Sequence, residues 1–121
     1  MHKLLLTLFL IVHVGLVQAD DLADDLADER ADCDEGGGLA CFRLAILYNN
    51  GVGVEKNLSI ALELFKKSCE GDEAVGCAYA GNAYKIGRGV EKSNSRPLYF
   101  YRLSCDLKLQ MACDEYLKLE Q

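Results

Sequence analysis

Histidine and threonine are almost missing from this 121-residue chain, and where they fall matters more than how few they are. His2, His13 and Thr7, the only copies of either, all lie within the first 19 residues, a segment built around an apolar run. A chain that loses that segment keeps no histidine, the commonest metal ligand and general base near neutral pH. It also holds no close Cys-x-x-Cys pair, so a zinc site and a histidine-activated cysteine are both excluded. Without threonine there is no Lys-Thr-Gly strand. None of Ser59, Ser68, Ser93, Ser95 and Ser104 is followed three residues later by lysine, Ser93-Asn-Ser-Arg96 being the nearest approach to Ser-x-x-Lys. Basic clusters are lacking too: from Cys33 onward twelve acids face eleven bases, which gives no surface for nucleic acid and no basic amphipathic helix for a membrane surface. Strand-type alternation is absent, which leaves an all-α chain.

The N-terminal run has the order of a secretory signal peptide. Met1-His2-Lys3 is a positive start, Leu4 to Val17 is almost wholly apolar, and Val17-Gln18-Ala19 ends in small residues. It is shorter than the roughly 18 to 20 apolar residues that cross a bilayer, so residues 1–19 predict cleavage near Ala19 and no stable membrane anchor. The expected location is periplasmic or extracellular. Residues 20–32 then carry seven acids against Arg30. Leu22 and Leu26 fall in the register of Leu58 and Leu62, but Asp28 and Glu29 stand where Leu64 and Phe65 do. The expectation is a polar cap or a disordered tail rather than a degenerate half-repeat.

From Cys33 the chain repeats. Cysteines at 33 and 41, 69 and 77, and 105 and 113 are spaced by eight and displaced by 36. Tyr48 matches Tyr84, Gly51-x-Gly-Val-Glu-Lys56 matches Gly87-x-Gly-Val-Glu-Lys92, Leu62 matches Leu98, and Ser68 matches Ser104. A period of this length marks a stacked repeat array, with units at 33–68 and 69–104 and a half-unit at 105–121.

Each unit reads as a helical hairpin. Cys41, Leu44, Ala45 and Tyr48, like Cys77, Ala80, Gly81 and Tyr84, form one stripe at i, i+3, i+4, i+7. Gly51 closes the first helix. Asn57 is the expected N-cap of the second, whose stripe is Leu58, Ala61, Leu62 and Phe65, and Ser93 takes the same place in the next unit. The acid two residues before Asn57-Leu-Ser59 also resembles an extended N-glycosylation acceptor, though the cap explains the asparagine without it. Pro97 stands where Ala61 does, one turn into the predicted helix, so that helix is expected to start near Ser95 with Pro97 in its first turn. The last helix is predicted over 108–119, with Cys113, Tyr116 and Leu117 facing inward.

In each cysteine pair the first residue ends one helix and the second lies early in the next. Across a turn between antiparallel helices an offset of eight can bring the Cβ atoms to bridging distance, so three disulfides are expected: Cys33 with Cys41, Cys69 with Cys77, and Cys105 with Cys113. An even cysteine count in a small exported chain agrees.

These residues resemble the Sel1-like repeat, a relative of the tetratricopeptide repeat. The carriers are Leu44-Ala45-x-x-Tyr48-x-x-Gly51-x-Gly53-Val54, Ala61-x-x-x-Phe65-x-Lys67, and the Cys-x7-Cys spacing, which is similar to that of the Helicobacter cysteine-rich protein family. The likeness covers Cys33 to the C-terminus and departs in having two full repeats, Gly81 in the first helix of the second, and Pro97 for the usual alanine. It implies an α-solenoid with one disulfide per helix pair. It also implies either host-directed binding, or penicillin binding with weak β-lactamase activity, and hence a β-lactam or peptidoglycan-type ligand. The residues themselves show no catalytic motif and call for no cofactor. They favour a protein- or peptide-binding module, because first helices of stacked hairpins line one continuous surface. On that surface Arg43, Asn50, Tyr79 and Asn82 are the candidate ligand residues, able to supply charge, stacking and amide hydrogen bonds.

Overall fold

The frame of the molecule is a turn made three times. In the computed structural model, which describes residues 23–121, residues 36, 72 and 108 each return a hydrogen bond to the cysteine three residues earlier. Gly36 N–H donates to the Cys33 carbonyl at 3.0 Å, Asp72 to Cys69 at 3.0 Å and Lys108 to Cys105 at 2.9 Å. All three residues are left-handed, with φ of 94°, 63° and 76°. Gly36 adopts this freely, whereas Asp72 and Lys108 carry a Cβ there, at a cost on the order of 1 kcal/mol each. A disulfide clamps every one of these turns: Cys33–Cys41, Cys69–Cys77 and Cys105–Cys113, with Cα atoms 4.5, 4.5 and 4.6 Å apart.

Between the turns run six helices among the described residues, with no strand: α1 over 23–34, α2 Gly38–Asn50, α3 Leu58–Glu70, α4 Ala74–Ile86, α5 Arg96–Asp106 and α6 Gln110–Glu120. From α2 onward each packs on its neighbour in sequence, the stacking of a short all-α solenoid. The second kind of turn, after α2 and α4, also repeats. Gly51 and Gly87 are left-handed C-caps (φ 70° and 74°), and the Asn57 and Ser93 amides donate to the Tyr48 and Tyr84 carbonyls at 2.9 Å.

Caps follow the sequence reading. The Asn57 side chain accepts from the Ile60 amide at 3.0 Å. Ser93 Oγ accepts from the Arg96 amide at 3.2 Å, the repeat-equivalent bond, although α5 begins only at Arg96 and carries Pro97 in its first turn. Pro97 lacks an N–H that the first turn would leave unpaired in any case.

The core runs along the hairpins, with Ala45, Leu62, Phe65, Cys77, Ala80, Tyr84 and Phe100 at its centre. A smaller cluster of Cys33, Cys41 and Leu44, with Leu26 packed on it, closes the N-terminal end. Ser68 and Ser104 are both fully buried beside their cysteines, but only Ser104 Oγ has a partner, donating to the Ala74 carbonyl at 2.7 Å. Where α2 passes the end of α3, Gly38 and Gly71 meet backbone to backbone, and a Cβ on Gly38 would stand 2.5 Å from the Gly71 oxygen.

Two expectations are corrected. The acidic segment is not a tail: residues 23–34 are helical and take the place of a hairpin's second helix. Of its two misplaced acids, Glu29 has a basic partner in Arg43 at 3.2 Å, and the neighbouring Arg30 donates to the Tyr48 hydroxyl at 2.8 Å. In α6 the predicted inward face shifts. Lys108 belongs to the turn, Ala112 is the fully buried residue, and Leu117 is 57% exposed. The signal-type segment 1–19 lies outside the described residues.

Candidate functional site

Each second helix packs against the first helix of the next unit, and the same two repeat positions recur at every such junction, in contact at the first two. In the first junction Glu29 meets Arg43 as an ion pair of 3.2 Å. In the second, Phe65 and Tyr79 stack with ring centroids 4.8 Å apart. In the third, Tyr101 lies within electrostatic reach of Glu115. The backbone repeats while the chemistry at one position changes from charge to aromatic and back to charge.

Two of these junctions open as grooves. The first is a cavity of about 450 Å³ between α1, α2 and the loop after α2, walled by Leu26, Phe42, Ile46, Leu47 and Val52. Its charged lining residues are Asp25, Glu29 and Arg43. The second, about 250 Å³, lies between α3 and α4 and is lined by Leu62, Phe65, Tyr79, Ile86, Asn82 and Arg88, among others. The pair are repeat copies of each other: Leu26 corresponds to Leu62, Glu29 to Phe65, Arg43 to Tyr79, Ile46 to Asn82 and Val52 to Arg88. Phe42 from the first groove packs on Phe65 (5.9 Å) and Tyr79 (5.4 Å) from the second, so one aromatic cluster forms the wall between them. Val52, Tyr79 and Ile86 leave 49%, 40% and 63% of their surface in solvent, an exposure of apolar surface that marks interaction sites when it gathers in a groove.

At the third junction the equivalent position is occupied by charge. Glu115 bonds Lys118 at 3.0 Å and Lys85 at 3.2 Å, and those hydrogen bonds hold its carboxyl below the usual carboxylate range. Beneath it Tyr101 is buried, and its hydroxyl donates to Asn82 Oδ1. Burial, with the Glu115 charge adding to it, pushes the Tyr101 phenol from 10.0 up to about 12. A raised phenol stays neutral in the folded state while the unfolded chain ionises. Its contribution is complete below pH 10 and is lost as pH climbs toward 12. Urea midpoints should fall across that window more steeply for the wild type than for Tyr101→Phe. Ultraviolet titration should show a phenol near pH 12 that the variant lacks.

The four candidate ligand residues separate. Tyr79 and Asn82 share the second groove, Arg43 sits in the first, and Asn50 lines neither, its Oδ1 accepting from Asn49 at the end of α2. Three of them are already engaged, Arg43 with Glu29, Tyr79 with Phe65, and Asn82 with Tyr101. Asp25, Phe42, Val52 and Arg88 escaped the sequence reading. Projecting the 36-residue register onto 20–32 would have found Asp25, once that segment was taken as helical. The serines do not gather into a site: Ser68 and Ser104 are buried, Ser93 accepts from the Arg96 amide ahead of α5, and Ser59 and Ser95 are exposed.

The Sel1 repeat model matches residues 38–73 and 74–109, framed on the helix starts rather than on the cysteines. Among solved structures the chain is similar to Helicobacter pylori cysteine rich protein B, with 27% identity, TM-score 0.71, and coverage of 74% of this chain and 67% of that one. A Sel1 repeat protein from Oxalobacter formigenes is 25% identical with TM-score 0.65, covering 69% of this chain and 34% of that one. A protective antigen present in uropathogenic Escherichia coli strains, displaying an SLR fold, shares the fold at 22% identity and TM-score 0.69, over 73% of this chain and 19% of its own length. No curated protein matches by sequence.

Proposed function

Since the chain belongs to the Sel1 repeat family, we propose that it is an exported binding module whose two neighbouring grooves hold an extended protein or peptide segment. The observation that carries this reading is the pair of repeat-equivalent grooves divided by Phe42, Phe65 and Tyr79, with Val52 and Ile86 left in solvent. Successive equivalent pockets suit a ligand that presents side chains at intervals, because each pocket then takes one anchor. Export is supported by the three disulfides and by the signal-type order of residues 1–19, since such bridges persist in oxidising compartments.

The test is selection of a phage-displayed random dodecapeptide library on the oxidised protein, alongside Val52→Glu with Ile86→Glu. Both side chains are exposed, so the double variant keeps its fold and its circular dichroism. The wild type should enrich a recurring peptide with apolar anchor residues, and the variant should bind that peptide at least about tenfold more weakly, as when charge replaces an apolar anchor contact. Equal enrichment on both proteins, or none on either, would remove the grooves from the function.

A further inference from the structure

The grooves differ in the charge they leave unmatched. In the first, Glu29 is neutralised by Arg43 at 3.2 Å, whereas Asp25 has no ion-pair partner among the described residues. In the second the sole charged lining residue is Arg88, which has no carboxylate partner among the described residues. Its Nε donates to Asn49 Oδ1 at 3.2 Å, a bond that orients the guanidinium and leaves its terminal amino groups to face a ligand. Both charges are solvent-exposed at the edge of apolar walls, so a matched partner there adds modestly to affinity and chiefly favours one orientation.

We infer that the paired grooves read the polarity of an extended peptide: a lysine or arginine next to a large apolar residue over the first groove, and an aspartate or glutamate next to another over the second. The second groove suits a carboxylate because a guanidinium engages both its oxygens, and the single carboxylate of Asp25 suits a cation. The aromatic wall of Phe42, Phe65 and Tyr79 lies between the two anchors and offers stacking surface to the residues that link them. A peptide with the charges exchanged would bring like charges together in both grooves, and that repulsion sets the direction in which the ligand lies.

The inference rests on the peptide-binding reading, and composition separates the two. Peptides enriched from the random library on the oxidised protein should carry a basic residue toward one end and an acidic residue toward the other, each beside an apolar one. A synthetic copy of the leading peptide, labelled with fluorescein, should bind on the order of fivefold more weakly to Asp25→Lys and to Arg88→Glu, and exchanging its two charges should restore affinity to the doubly reversed protein. Enriched peptides without charge polarity, or a leading peptide indifferent to both substitutions, would overturn this inference and leave the binding module standing. A library that enriches nothing would overturn both.

Discussion

Removing the middle disulfide, by Cys69→Ala with Cys77→Ala, is expected to lower stability by about 3 kcal/mol and the melting temperature by about 15 °C. The chain-entropy effect of an eight-residue separation supplies roughly 2.5 kcal/mol of this. The remainder comes from packing, for Cys77 is fully buried, Cys69 nearly so, and both belong to the central cluster with Leu62, Phe65 and Phe100. This bridge also joins α3 to α4, the junction between the two full repeats. The same change at Cys105 and Cys113, which close the same eight-residue separation but are half-buried at the C-terminal end, should cost less by roughly 0.5 kcal/mol, because little packing is lost there. Urea unfolding of the two variants, compared with the wild type, decides the matter. Equal losses would mean that the bridges act through loop closure alone.

Gly38→Ala should destabilise the protein by about 2 kcal/mol, against the usual sense of that substitution. Replacing a helical glycine with alanine ordinarily gains about 1 kcal/mol. Here the new Cβ would stand 2.5 Å from the Gly71 carbonyl oxygen, 2.9 Å from its carbon and 3.0 Å from the Ser68 oxygen. All of these are backbone atoms, so no side chain can rotate aside, and α2 must move off the end of α3. The contact is reciprocal, since a Cβ on Gly71 would lie 2.7 Å from Gly38 Cα and from its nitrogen. A stabilised Gly38→Ala variant in chemical denaturation would show that the crossing relaxes easily.

Much of this molecule was legible because its units are written in register. The helix stripes, the Gly51 and Gly87 caps, the Asn57 cap, the late start of α5 at Pro97 and the three bridges all follow from local rules applied at a fixed offset, and each appears in the structure. The failures lie at the two ends, where the register continues but the composition does not. Residues 23–34 read as too acidic to pack, and Leu117 read as buried by analogy with Ala45 and Gly81.

The sequence by itself determined the period, legible from positions 36 apart, and the hairpin, the cysteine pairing and the all-α class, which depend on residues within a few turns of one another. Tertiary structure alone decided what the junctions do. Glu29 is acceptable in an apolar register because Arg43, fourteen residues on, meets it across the first groove. Tyr79 and Asn82 divide their contacts between a groove and a core partner on another helix. The groove itself exists only where a second helix and the following first helix leave a gap that their side chains do not fill. A charge can be counted in a sequence, but whether it is cancelled depends on what stands opposite, and that distance is set by packing.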